Sequence, residues 1–224
     1  MHCGMKRSLC LIFLAGFASL LIAPAHAQTN ASQRRRANRE RRTQAIINDT
    51  YTKKFEVTVG GSYLRFRPGP FLRHMNEIGW QVSGTRYFNP RLGLTADFHG
   101  YYGTPKVFPN PINTFPSGIR EYVYQGGPTY RVYAKQKLAV SGRVLAGAST
   151  GVFDLRTNHF DPTLVGLYPV ATVFAITPGI TVDYNFDPQL AVRIAPEMLI
   201  TRFGSQWQFN KGFSFGVVYR FGQQ

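Results

Sequence analysis

Between residues 55 and 221 apolar and polar side chains alternate along successive segments, and the links joining the segments alternate in length as well. NPR (89–91), KQ (135–136) and DPQ (187–189) are tight turns, with proline and polar residues where turns want them. Between them lie longer links: RPGPFLRHMN (67–76), TPKVFPNPINTFPSGI (104–119), a stretch from about 154 to 168, and GSQWQFN (204–210). Successive side chains of a strand point to opposite faces, so the alternation predicts strands at 54–66, 77–88, 92–103, 120–133, 137–153, 170–186, 190–203 and 211–221. Long and short links in strict alternation are what an up-and-down meander gives. One end carries four loops; the other carries three turns and both termini.

The two faces then decide what surrounds the sheet. In LGLTADFHGYYG (92–103), Leu92, Leu94, Ala96, Phe98 and Tyr102 share one parity, and Thr95, Asp97 and His99 share the other. In the sixth segment Phe174, Ile176, Pro178, Ile180, Val182 and Tyr184 oppose Thr177, Gly179, Thr181, Asp183 and Asn185. A soluble β-sandwich would also alternate, but its outer face would carry the Lys, Glu and Thr of a solvated surface. Here the polar parity mixes small residues with lone charges. That suits the interior of an eight-stranded barrel, just wide enough for side chains to fill. The reading is an all-β, eight-stranded antiparallel up-and-down transmembrane β-barrel over 54–221. About 10 residues per strand at roughly 40° tilt span about 25 Å, the apolar band of such barrels. Strand prolines remove ladder donors, so bulges are expected at Pro128, Pro178 and Pro196.

The start of the chain supplies a matching export route. Lys6 and Arg7, an apolar run from about Leu9 to Pro24 and the small-x-small Ala25-His26-Ala27 read as a signal peptide over 1–27. Both cysteines, Cys3 and Cys10, lie within it, so the exported chain has no disulfide framework, thiolate metal site or cysteine nucleophile. Of the net charge of +15, +6 falls in residues 28–54. Residues 28–53, with SQRRRANRERRTQ at their centre, read as a basic, disordered or partly helical periplasmic segment. Clustered arginines there suit anionic lipid head groups or an acidic envelope polymer; an exported chain gives no reason to invoke nucleic acid.

On this topology Glu56, Asp97, Asp183 and Glu197 share the inward parity with His99, Arg131, Arg143, Arg193 and Arg220. Charges in a narrow interior are costly unless paired, so four acids and four arginines predict a salt-bridged plug, with a charge-lined channel as the alternative. Glu197 and Arg193 are about 13 Å apart along one strand, so their partners must come from other strands. Ser83 and Ser149 lie on the inner parity without a nucleophile motif, and His159 is a lone loop histidine. No metal cluster or phosphate-binding fingerprint appears, and no cofactor is implied. A non-enzyme is expected, with a lipid A-modifying enzyme the more distant alternative.

The hairpins GWQVSGTRYFNPRLGLTADFHGYYG and VDYNFDPQLAVRIAPEMLITRFG, with the closing FSFGVVYRFG, resemble the small outer-membrane β-barrel family of OmpA- and OmpX-like proteins. The resemblance implies an eight-stranded barrel in the outer membrane of a two-membrane bacterium. It implies no single activity. Phe213, Phe215, Val217, Tyr219 and Phe221 look like the family's assembly signal for the barrel-insertion machinery, from which the chain departs by adding Gly222-Gln223-Gln224. Trp80, Tyr101, Tyr102, Tyr122, Tyr124, Tyr219 and Phe221 are expected to form interfacial girdles. Arg65, Arg67, Arg120 and Arg202 are placed to meet lipopolysaccharide phosphates, and the KVFPNPINTFPSG loop to meet an extracellular ligand. The expected role is structural or surface-interacting.

Overall fold

The computed structural model describes residues 31–106, 118–155, 161–204 and 206–223. Eight strands follow one another around a closed barrel: β1 (Lys53–Phe66), β2 (Met75–Tyr87), β3 (Leu92–Gly103), β4 (Gly118–Ala134), β5 (Leu138–Leu155), β6 (Ala171–Asn185), β7 (Leu190–Thr201) and β8 (Gln208–Gln223). Every neighbouring pair is antiparallel, and β8 closes on β1 from Lys53/Gln223 to Arg65/Lys211. Each strand end falls within three residues of its sequence expectation. Residues 1–27, read above as a signal peptide, His159 and most of the 104–119 loop lie outside the described residues.

The barrel is apolar outside and polar inside. Phe215 is 54% exposed while its neighbour Ser214 is fully covered, and the same inversion repeats around the wall. Phe213, Phe215, Val217, Tyr219 and Phe221 all point outward. Phe221 stacks on Phe55 across the closing seam at 5.5 Å. Trp80, Tyr102 and Tyr124 also face out, and the Trp80 indole donates to the Tyr102 hydroxyl at 3.3 Å. Tyr101 does not belong with them. It is one residue from Tyr102, hence on the opposite parity, and it is buried inside the barrel.

The strand prolines are accommodated without bulges. Register runs unbroken past Pro128, Pro178 and Pro196 on both sides, and local rungs are simply missing. The register shifts instead fall between Gly118 and Arg120 and between Arg131 and Tyr133, near the two ends of β4. Proline already lacks its donor, so losing a rung there is cheaper than displacing a whole strand.

Residues 31–51 are helical where a disordered or partly helical segment was expected. The helix places Thr50 and Tyr51, both buried, at the start of β1. Arg34, Arg35, Arg36, Arg39, Arg41 and Arg42 are exposed along it.

Candidate functional site

The lumen is filled in layers. Nearest the turn end, Glu56 on β1 and Asp183 on β6 are held by three arginines. Glu56 Oε1 accepts from Arg131 Nη2 at 2.7 Å and from Arg220 Nε at 2.8 Å; its Oε2 accepts from Arg193 Nη2 at 2.8 Å. Asp183 accepts from Arg193 Nε at 2.6 Å and from Arg220 Nη2 at 2.9 Å. Planar guanidinium forks suit this sharing, because each offers several donors in fixed directions. Arg131 lies between two aromatic faces, 4.1 Å from the Tyr87 ring centre and 4.6 Å from that of Tyr51. The Tyr51 hydroxyl donates to Lys135 O at 2.7 Å and accepts from Asn185 Nδ2 at 3.0 Å, so the helix end is tied into the turn-end mouth.

A second layer surrounds Arg143. Its guanidinium bridges Asp97 Oδ2 at 3.0 Å and Glu197 Oε2 at 2.5 Å. Gly179 stands between β5 and β7 in register with both residues, and a side chain there would press on Glu197 Cβ at 3.2 Å and Arg143 Nε at 3.5 Å. The missing side chain is what lets Arg143 reach across a strand. Asp97 also accepts from Gln81 Nε2 at 3.1 Å and meets His99 Nε2 at 3.1 Å; His99 Nδ1 pairs with the Tyr101 hydroxyl at 2.8 Å. Asp97, His99 and Glu197 could converge on a metal ion. Arg143, however, places its positive charge between the two carboxylates, where a cation would have to sit. The arrangement fits an ion-pair network better than a metal centre.

Above it the chemistry changes. Glu77 and Glu121 are fully buried with no basic partner among the described residues. Ser149 Oγ donates to Glu121 Oε1 at 2.5 Å, but Glu121 Oε2 and both oxygens of Glu77 have no hydrogen-bond partner among the described residues. The sequence reading missed both glutamates, although each sits on the inward parity. With them, six carboxyl groups face four arginines, so the interior is not the balanced set that was expected.

An apolar cluster lies at the long-loop end. Phe66, Phe153 and Phe203 pack with ring centres 5.3 to 6.2 Å apart. Leu72 comes in from the first long link, and Leu167 and Tyr168 from the third. The links are joined by Tyr168 N–H donating to Pro68 O at 3.0 Å. A short 3-10 turn at Pro162–Val165, capped by Asp161 and ended by Gly166 at φ 82°, steers the third link inward.

Arg65, Arg67, Arg120 and Arg202 are all exposed at this same end, outside the lumen. Arg65 pairs in register with Lys211, and Arg202 lies 5.7 Å over the Trp207 ring. Burial, with the charges of Arg67 and Arg65, holds the nearby His74 imidazole below its ordinary pKa.

No family model matches the chain, and no curated protein matches it. Solved structures do. Ail, the attachment invasion locus protein of Yersinia pestis, is 15% identical with a TM-score of 0.51, covering 75% of this chain and 99% of Ail. Neisserial surface protein A is 13% identical with a TM-score of 0.54, covering 75% and 97%. The outer membrane protein OprG of Pseudomonas aeruginosa is 10% identical with a TM-score of 0.52, covering 76% and 97%. At such identities the likeness is one of fold, and the fold of this chain is that of the small eight-stranded outer-membrane β-barrels.

Proposed function

We propose that this protein is an integral outer-membrane barrel, closed to flow, that serves as a rigid anchor presenting its long-loop end at the cell surface. The inside-out polarity of the wall supports membrane insertion, since a hydrocarbon-facing band wants apolar side chains and an enclosed lumen tolerates paired charges. The signal-like residues 1–27 fit export, and both termini then lie in the periplasm. Closure is supported by one observation above all: buried side chains recur along the lumen among the described residues, from Tyr51 through the arginine network to the Phe66–Phe153–Phe203 cluster.

In this reading Glu56, Asp97, His99, Arg131, Arg143, Asp183, Arg193, Glu197 and Arg220 hold the barrel shut. Arg65, Arg67, Arg120 and Arg202 pair with lipopolysaccharide phosphates at the outer rim, where bidentate guanidinium contacts are strongest. The outward aromatic run ending at Phe221 serves recognition by the insertion machinery. The test is single-channel conductance of the refolded chain in a planar bilayer, beside a variant carrying Arg143→Gln and Glu197→Gln. Silence in the wild type with leak in the variant is the expected result. Steady conductance in the wild type would make the protein a small channel instead.

A further inference from the structure

Three strand prolines meet on one patch of the outer wall. Pro128 in β4, Pro178 in β6 and Pro196 in β7 border a groove of ≈ 710 Å³ that crosses β5 at Gly142 and Val144. A side chain added at Gly142 would touch nothing within 4 Å, so the floor of the groove is open. Arg143 and Glu197 contribute to it only through their main chain, because their side chains are turned into the lumen and buried there.

Each proline keeps register with one neighbour and loses a rung with the other. Hydrogen-bonded pairs of an antiparallel ladder exchange two N–H···O bonds, and proline has no N–H to give. Between β4 and β5, pairing holds at Gly126/Ala146 and Thr129/Arg143 but is absent where Pro128 faces Val144. Between β6 and β7 it holds at Ile176/Ile200, Gly179/Glu197 and Val182/Ile194, but not where Pro178 faces Met198 or Pro196 faces Ile180. The carbonyls of Val144, Met198 and Ile180 therefore receive no donor from the ladder. All three residues line the groove.

In water such carbonyls would be solvated; within hydrocarbon an unanswered backbone group is costly. We propose that the groove is a specific seat for a membrane lipid that bears a hydrogen-bond donor, a hydroxyl or an amide, on or beside an acyl chain. The chain lies along Tyr130, Ile180 and Met198, and the donor answers the orphaned carbonyls. This rests on the membrane-spanning reading above: the patch belongs to the apolar outward band, where acyl chains are the surrounding medium. A plain chain fills the same space but leaves the carbonyls bare, which is why a donor-bearing lipid is favoured over bulk lipid.

The experiment uses the full chain refolded into phosphatidylglycerol vesicles containing equal amounts of a hydroxyacyl lipid and its plain-acyl form. Insertion is checked by protease protection, and lipid retained after detergent extraction is identified by native mass spectrometry. One hydroxyacyl lipid per barrel is expected, preferred about fivefold over the plain form, as one net hydrogen bond allows. Gly142→Trp should fill the groove and abolish retention of both forms. The triple variant Pro128→Ala, Pro178→Ala, Pro196→Ala restores three N–H donors and leaves the groove open, so it should keep lipid but lose the preference. If Gly142→Trp fails to fold by circular dichroism, the triple variant decides. Equal retention of both forms by the wild type, unchanged preference in the triple variant, or a lipid-free pair of barrels overturns the proposal. A chain that does not insert overturns the membrane reading and this inference with it.

Discussion

The two halves of the lumen are filled by opposite means. Toward the turn end, three guanidinium groups and two carboxylates are matched oxygen by oxygen, with Tyr87, Asn185 and Thr58 taking up further donors and acceptors. Toward the long-loop end, aromatic and aliphatic side chains pack beyond two glutamates that have no basic partner among the described residues. The first half is interlocked, since removing any member strands a buried charge. The second is held by packing, and both oxygens of Glu77 and Oε2 of Glu121 have no hydrogen-bond partner among the described residues. An eight-stranded interior, just wide enough for side chains to fill, can thus be occupied by either device, and the comparison predicts that the halves answer differently to the same kind of substitution.

The largest effect is expected from Arg220→Ala, which leaves Glu56 and Asp183 short of a partner and should cost ~3–5 kcal/mol. Chemical denaturation of the refolded barrel measures it, and a loss under ~1 kcal/mol would mean that water or the remaining arginines replace the missing charge. In the cap, Phe203→Ala removes a ring packed against Phe66, Phe153 and Tyr168, and a loss of about 3 kcal/mol is expected from cavity formation. The two effects should add within about 0.5 kcal/mol in the double variant, since Phe203 and Arg220 share no partner. Strong coupling between them would show that the halves form one cooperative unit.

One substitution made in both halves sharpens the contrast further. Glu56→Gln discards an acceptor that answers three arginines and should destabilise strongly. Glu77→Gln discards a buried carboxyl with no partner among the described residues and should be neutral or stabilising, by about 1 kcal/mol. Equal losses at both positions would mean that Glu77 has a partner in the membrane-inserted protein, and proteins refolded with and without divalent cations would show whether that partner is a metal. At the mouth, Tyr51→Phe removes two hydrogen bonds and should cost about 1 kcal/mol, read by the same denaturation curves.

The charged half was legible in the sequence and the capped half was not, for a physical reason. Parity assigns a face, and where that face reads Glu56–Thr58 or Asp97–His99 between apolar neighbours, the contrast is plain. At the long-loop end both parities turn apolar: Leu64 and Phe66 face inward beside an outward Tyr63, and Ile119 and Val123 flank Glu121. Alternation loses its contrast there, and Glu77 and Glu121 were passed over with it. Which arginine meets which acid was beyond the sequence as well. Arg143 reaches Glu197 across β6 because of register and Gly179, and register around a closed barrel is a property of all eight strands. The same limit explains the prolines, whose missing rungs fall on shared neighbours only once the strands are aligned.

The smallest effect concerns the outer rim, and it bears on what the capped end faces. His74 lies at the end of the first long link, outside the strands, where burial and then the charges of Arg67 and Arg65 lower its pKa. A base whose folded pKa is depressed is neutral in both states above about pH 6.5, so it contributes nothing there. As pH falls below that value the unfolded chain takes up the proton more readily than the folded one, and stability declines until the folded pKa is passed. Arg67→Gln should move the imidazole back toward its ordinary value, as followed by its NMR chemical shift. Phosphate groups seated on Arg65 and Arg67 would act in the same direction, because they offset the charges that oppose protonation. The wild-type imidazole should therefore titrate higher in lipopolysaccharide-containing membranes than in phosphatidylcholine, and the difference should shrink in Arg67→Gln. An imidazole that titrates identically in both membranes would mean that these arginines carry no phosphate, and would remove the rim from the account of how the barrel is held at the surface.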